Sequence, residues 1–524
     1  MKTDRIIRSR MTFLAVVLIT ALVLGGIPAD QVQAEAAPGL FSDAGSAVQA
    51  DVRPADASVV RSRYLHVDQA MLFDASGQPL NKNSLPEVTL NIFPDVAYTG
   101  MITALEVKPW GASWTGNIKG KDGYFYLVVS EGAFIAHIAS PEGVYEVSSA
   151  GGDDLYQAIQ IDQSVLVDHD PAATYDLPGE IIPEGDLGPT ADAASSIDIM
   201  VVYTKAARIA EGSTAAMKAR IALAMTETNT SYAIAGVTTR LNLVHTKEYL
   251  YAETGNMETD LNRLVDSLDS YFVGIQTLRN TYGADMVGLI VENGGFYCGL
   301  ASAIMANATN AYQVTDRSCA TGYYSFGHEF GHLQGARHDV YVDPSTSPYA
   351  YGHGYVHTGS IYAQRWRTIM AYNTKCSDLG YNCTRLQWWS NPYITFNSAP
   401  MGNTKAKNFQ VLNVTDYTVA NFRQHVAPSQ IPVTKKPIGI TTDKTPTYQW
   451  TKITGATNYQ YQLYRGSTKI YTRSVASGAC GSSRCSNTPT TSLAYTAYKW
   501  RVRAKVGGVW QAFSGFRNFT IQAP

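Results

Sequence analysis

Five residues within a run of eleven have the types and spacing for hydrolytic chemistry: His328, Glu329, His332, Gly335 and His338. An α-helix turns once in about 3.6 residues, so His328 and His332 share a face, about 5.4 Å apart along the axis. Two imidazoles so placed can hold one Zn²⁺ at roughly 2.0–2.1 Å each. Glu329 stands beside the first of them, where a carboxylate can hold an attacking water and take its proton. Gly335 admits the positive φ that ends a helix and reverses the chain, which would bring His338 round as a third ligand. Three protein ligands leave a fourth position open, which marks a catalytic zinc rather than a structural one. The competing reading is three surface histidines on an ordinary helix. It needs all five residues to coincide by chance, below about one in a few thousand for a chain of this length.

On these residues the sequence resembles the metzincin zinc endopeptidases, whose signature H-E-x-x-H-x-x-G-x-x-H is followed by a methionine turn. Asp339, the next residue, is the one found there in the reprolysin-like branch, and Thr368-Ile-Met370-Ala-Tyr372 matches the turn. The resemblance implies that Met370 forms an apolar floor beneath the ligands. It gives Tyr372 two readings. In the astacin- and serralysin-like branches, a tyrosine at this position contacts zinc or stabilises the tetrahedral oxyanion, whereas reprolysins usually lack it. A phenol O–H is a reasonable donor to a developing negative charge, and core packing is the alternative.

The chain is more closely similar to the bacterial peptidyl-Asp metallopeptidases. The shared text is Cys298-Gly-Leu-Ala301, Ser325-Phe-Gly-His-Glu-Phe-Gly-His332, Tyr351-Gly-His-Gly-Tyr355, Arg367-Thr-Ile-Met-Ala-Tyr372 and Ser390-Asn-Pro392, covering approximately 197 to 426. The resemblance implies protein or peptide substrates with an acidic residue just after the scissile bond, which a cation must receive. Arg365 and Arg367 share a face of an extended stretch ahead of the methionine turn and are the local candidates; each alone also reads as a solvated surface arginine. Gly299, Leu300 and Ala301 match the edge strand that lines the cleft, where an extended peptide pairs through its main chain. An ordinary glycine-containing strand is the alternative. His353 and His357 lie in a loop rich in Pro, Ser, Tyr and Gly and are left out of the ligand set.

These residues need a framework to position them. Ile197 to Tyr203 starts a buried strand, and Met217, Ile221, Ala224, Thr228 and Tyr232 fall on one helical stripe that Gly236 can stop. Thr239 to Val244 alternates as a second strand, Leu261, Leu264, Val265 and Leu268 mark a second amphipathic helix, and Asp285 to Val291 is a third strand. Strands alternating with helices indicate an α/β class; the metzincin resemblance implies an α+β catalytic domain with a mixed twisted sheet and the zinc-binding helix.

The flanks read differently. Lys2, Arg5, Arg8 and Arg10 precede an apolar run from Phe13 to Gly26 and the small-residue site Val32-Gln-Ala34, so 1–34 reads as a signal peptide and the protein as secreted. An uncleaved anchor is the alternative, but the run falls short of the ~20 residues a span needs. Residues 35–195 read as mostly strand and then linker, with Val88–Phe93 and Tyr124–Val129 alternating, and the stretch resembles the propeptide that precedes the catalytic domain in secreted reprolysin-like enzymes. This stretch holds no cysteine, which excludes latency by a cysteine on the zinc. Asp95 could supply a carboxylate to the zinc instead, as an aspartate does in astacin propeptides, or be a turn residue after Pro94. Between Asp168 and Ser196 the composition turns to Asp, Glu, Pro, Gly and Ala, as in a linker open to cleavage, with acidic sites at Asp186 and Asp192.

The catalytic domain is assigned to 196–427; in 428–524 the short alternating strands 445–450, 459–464 and 498–504 resemble a fibronectin type III β-sandwich, with Tyr498 as its candidate tyrosine corner, and surface or polymer binding or a passive spacer as its two readings. The six cysteines group as Cys298/Cys319, Cys376/Cys383 and Cys480/Cys485, which suggests local disulfides, although six allow fifteen connectivities. A net charge of −2 gives no electrostatic footprint for nucleic acid. Calcium has no supporting D-x-D-x-D-G loop. The function expected is a zinc-dependent endopeptidase made as a zymogen. Its rival is a surface-adhesion or matrix-binding protein whose zinc domain no longer cuts; Glu329 counts against that, because a purely structural zinc needs no general base.

Overall fold

The computed structural model describes residues 39–45, 57–75, 77–151, 154–167, 196–266, 270–425, 431–506, 508–511 and 513–523. Residues 1–34, read as a signal peptide, Leu268, and the linker sites Asp186 and Asp192 lie outside the described residues.

Phe41–Asp43 through Tyr156–Ile161 form one nine-stranded sheet in which every neighbouring pair is antiparallel. Its central strands, Tyr124–Ser130 and Ala133–Ser140, are buried on both faces. Phe125, Leu127 and Val129 point into the sheet's own core with Trp114 and Phe134. Tyr126, Val128 and Ile135 point the other way, onto Ala219, Ala222 and Leu223 of the long helix Thr214–Ala235. Asp95 sits in the tight turn between the strands Glu87–Phe93 and Val96–Lys108, and both its carboxylate oxygens accept from Arg61, at 2.8 and 2.7 Å. The turn reading therefore describes it, and among the described residues the three-histidine cluster does not include it.

The next part of the chain builds a mixed five-stranded sheet in the order Arg240–Tyr249, Ser196–Thr204, Met286–Val291, Tyr312–Asp316, Gly299–Ala301. The first four are parallel, and the last runs antiparallel at the edge. The helix Thr214–Ala235 begins on the Ser213 hydroxyl, which accepts from Ala216 N–H, and ends at Gly236 with φ of 81°. Met217, Ile221, Ala224 and Tyr232 bury the expected stripe against the core beneath the mixed sheet. The opposite stripe is buried as well, under the nine-stranded sheet, so this helix has no wet face along much of its length.

Residues 434–521 form a three-stranded and a six-stranded sheet that share a core of Tyr448, Trp450, Tyr461, Trp500 and Phe519. The Tyr498 hydroxyl donates to Ala494 O at 3.2 Å. The cysteines are joined in the three local pairs. Among the described residues no helix is long and apolar enough to cross a membrane, which leaves β-barrel spans unaddressed.

Candidate metal centre

Helix Ser325–Leu333 carries His328, Glu329 and His332, and it is buried along its whole length. Glycine lets it lie that deep. A Cβ on Gly331 would come within 2.4 Å of the Trp389 ring and 3.2 Å of Met370 Sδ. The helix stops where Gly335 takes φ of 96° and donates its N–H to His332 O at 2.8 Å. The reversed chain then delivers His338 to the same point.

The three Nε2 atoms converge: His332 lies 3.0 Å from His328 and 2.8 Å from His338, and His328 lies 3.3 Å from His338. Nδ1 of His328 is 2.9 Å from Ile369 O, and Nδ1 of His332 is 2.8 Å from Ala336 O. A carbonyl only accepts, so both Nδ1 atoms carry the proton and both Nε2 lone pairs face inward. Lone pairs this close repel unless a cation sits among them. Tetrahedral zinc with ligands at roughly 2.05 Å would set the nitrogens about 3.3 Å apart, so the donor set fits that ion. Among the described residues this is the one group of three or more His, Cys, Asp or Glu side chains close enough to share a metal.

The remaining expected residues fall around this centre. Glu329 is buried, and its carboxylate lies against the edge strand: a Cβ on Gly299 would come within 2.4 Å of Glu329 Oε1. Leu300 turns to the core on one side of the sheet and Ala301 to the core on the other. Met370 is fully buried beneath the helix. The Tyr372 ring centroid is 4.3 Å from that of His338 and 6.5 Å from that of His328. Its backbone is fixed by Asp339, whose Oδ2 accepts Tyr372 N–H at 2.9 Å and whose Oδ1 accepts Tyr341 N–H at 3.1 Å. Burial pushes the Asp339 carboxyl up from its ordinary range, while those two amides pull it back. One positioning residue escaped sequence reasoning: His353 is buried and its Nδ1 donates to His338 O at 2.8 Å, bracing the third histidine of the cluster. Its signal was the motif Tyr351-Gly-His-Gly-Tyr355, read as shared text without a role. His357 instead stacks on Trp366, with centroids 4.7 Å apart.

The two candidate arginines part company. Arg365 donates to Gly359 O and Ser360 O and lies over the Tyr381 ring at 4.0 Å, so it braces a surface loop. Arg367 is buried and donates to Ala371 O, between Met370 and Tyr372, at 2.6 Å, to Cys383 O at 3.1 Å and to the Tyr323 hydroxyl at 3.1 Å. The short strand Trp366–Arg367 pairs in parallel with Thr384–Arg385, placing Arg385 directly opposite Arg367. The end of the N-terminal sheet domain reaches this wall. Gln163 Oε1 accepts Arg385 N–H at 3.0 Å, Leu166 O accepts the Tyr323 hydroxyl at 3.0 Å, and Val167 O accepts Cys298 N–H at 3.0 Å, next to the edge strand.

Comparison with known proteins agrees with this geometry. Residues 193–386 match a reprolysin-type family profile described as metallo-peptidase family M12. A peptidyl-Asp metalloendopeptidase of Xanthomonas campestris pv. campestris is 44% identical over 276 residues, 52% of this chain and 63% of that protein. One of Stenotrophomonas maltophilia (strain R551-3) is 39% identical over 315 residues, 59% of this chain and 73% of the relative. A third, from Pseudomonas fragi, is 40% identical over 197 residues, 38% of this chain and 100% of the relative. The chain thus spans less than two thirds of the Xanthomonas relative's own length.

Proposed function

Since this chain belongs to the family of the peptidyl-Asp metalloendopeptidases, within the M12 metallopeptidases, we propose that it is a zinc-dependent endopeptidase, secreted as a zymogen. The observation that carries this reading is the convergence of three histidine Nε2 atoms beside a buried carboxylate at a sheet edge. His328, His332 and His338 hold the ion. When bound, zinc supplies Lewis acidity that polarises the scissile carbonyl and makes a water easier to deprotonate.

The rest falls to side chains of this protein. Glu329 takes a proton from the water as it adds to the carbonyl and hands it to the departing amine. The Tyr372 phenol donates to the carbonyl oxygen as it becomes negative. Met370 floors the ligands. The substrate lies extended along Gly299, Leu300 and Ala301, borrowing the edge strand's main-chain groups. Arg367 receives an acidic side chain after the scissile bond; the relatives' name is the support for that preference. Latency is supported by the Leu166 and Val167 carbonyls, which hold the Tyr323 hydroxyl and the Cys298 amide beside the cleft. Activation requires cleavage before Asp186 or Asp192, and the C-terminal sheets, a fibronectin type III-like module over 428–524, add surface or polymer binding.

Metal analysis and casein hydrolysis by the processed protein, with and without chelator, test this reading. About one zinc per chain and hydrolysis abolished by chelator are expected. A metal-free protein, or hydrolysis indifferent to chelator, overturns it.

A further inference from the structure

We propose that the C-terminal module binds a linear polysaccharide of acidic sugars along one outward row of cations, Lys499, Arg501, Arg503 and Lys505. This rests on the polymer-binding reading of that module and gives the polymer its chemistry. The net charge of −2 hides an uneven chain. Residues 428–524 hold thirteen lysines and arginines against one acidic residue, Asp443, a net charge of +12. Residues 1–427 carry the balance, −14. The strand Ala497–Val506 sorts its side chains by alternation. Tyr498, Trp500, Val502 and Ala504 point into the module's core, so the four cations share the opposite face. There they interleave with three rings. Phe516 lies 4.7 Å from Lys499 Nζ and 4.9 Å from the Arg501 guanidinium carbon. Phe513 lies 4.4 Å from Arg501 and 4.5 Å from Arg503, and Trp510 lies 4.8 Å from Arg503 and 5.9 Å from Lys505. Gln462 Oε1 accepts from Nε and Nη2 of Arg501 at 3.1 and 2.9 Å, and Gln460 Oε1 from those of Arg503 at 3.1 and 2.8 Å.

Rings and amides hold these side chains without cancelling their charge. The residues paired with them across the neighbouring strands, Asn458, Gln460, Gln462, Tyr464 and Asn518, carry none. Asp443 is spent in a turn, where its Oδ1 accepts Thr445 N–H at 2.8 Å. Like charges recur along the row every ~6.7 Å, over about 20 Å in all, and they repel until an anion lies among them. All four cations are half-buried and not enclosed, so an extended polymer can reach them. A guanidinium suits a carboxylate, which it grips with paired N–H groups. Nucleic acid is the rival polyanion, and it asks for open rings on which bases stack. Here each ring is already taken by two cations, so the row offers charge before stacking. The same polymer repels the acidic remainder of the chain, which confines attachment to this module.

The test measures binding of the full chain to immobilised polygalacturonate, dextran and single-stranded oligodeoxythymidylate. Polygalacturonate should hold the protein at low salt and release it at high salt, where exposed charges are screened; dextran should not hold it. Arg501→Gln with Arg503→Gln should weaken binding at least ~10-fold, the size expected for two basic contacts with an anionic surface. Lys435→Gln with Lys436→Gln removes the same charge from the three-stranded sheet. That pair should weaken binding less than ~3-fold, because charges off the row act only across screened distances. If the arginine pair fails to fold, Lys499→Gln with Lys505→Gln decides in its place, since each lysine meets a single ring of the row. A folded row variant that binds as wild type does shows the row to be packing and overturns the proposal. Equal loss in both pairs overturns it in favour of overall charge, and oligodeoxythymidylate held more tightly than polygalacturonate overturns it in favour of nucleic acid. Dextran held as well as polygalacturonate overturns the charged row but keeps a polymer-binding module. A chain that binds none of the three sinks the polymer-binding reading as well.

Discussion

At the scale of single residues, each side chain around the histidines has a separable task. Glu329→Gln keeps the ligands and should keep the zinc, yet lose turnover by at least ~10²-fold, the lower end for a missing general base. Near-normal turnover in a metal-loaded Glu329→Gln protein would contradict its role. His332→Ala removes the nitrogen closest to both others and should lose metal and activity together, read by metal analysis beside a peptide assay. Tyr372→Phe keeps the ring beside His338 and deletes only the hydroxyl. A donor used only in the transition state then shows as lower kcat with KM nearly unchanged; an unchanged kcat returns Tyr372 to packing. The three-histidine cluster was legible in the sequence because one helix and one turn bring it together within eleven residues. His353 was not, because it joins the cluster from a separate loop and has no repeating pattern to announce it.

At the scale of elements, the histidine-bearing helix lies as deep as it does because Gly331 lets a bulky neighbour touch its backbone. Gly331→Ala would press a methyl into Trp389, fully buried and held by a hydrogen bond to Ser231 at 2.9 Å. Overpacking of this kind costs about 1–3 kcal/mol, so the midpoint of thermal unfolding should fall by several degrees without any direct loss of a ligand. An unchanged midpoint would mean that Trp389 can move aside. The strands and helices of the mixed sheet were legible because period and stop signals agree, as at Gly236. The long helix was only half legible. One stripe was expected, but Ala219, Ala222 and Leu223 are small and apolar, and nothing local says that a second sheet covers them. Tyr124 to Val129 carries the same ambiguity, since a strand buried on both faces has no polar partner for its alternation.

At the scale of the whole molecule, the N-terminal sheet and the catalytic domain meet through buried charge as well as apolar surface. Arg220 on the long helix reaches across to Glu146, with N–H donors at 2.7 and 3.0 Å from its two oxygens, and turns back to Glu211 at 2.6 Å. His137 on the sheet meets Glu227 on the helix at 2.5 Å. Such pairs were invisible in the sequence because their partners lie 74 and 90 residues apart, in segments assigned to different domains. The two glutamates answer pH in opposite senses. Burial opposes the charge on Glu146, but Arg220 overrides it and holds the carboxyl down to about 2. Its pKa is therefore depressed by docking, so its contribution is full above about 4.5 and is lost as pH falls toward 2. Burial raises Glu227 despite His137, so its contribution grows as pH falls through the docked value and is lost as pH rises. A chain nicked in the linker should therefore stay associated from neutral to mildly acid pH and come apart only as pH drops below about 4.5. Glu146→Ala leaves Arg220 buried with one carboxylate fewer. Breaking such a pair costs about 3–5 kcal/mol, so its nicked halves should separate at neutral pH. Size-exclusion chromatography of the nicked proteins across that range reads both effects. An Ala variant that stays whole would show that apolar contact alone holds the two together, and wild-type halves that part at neutral pH would show that the buried pairs do not hold them.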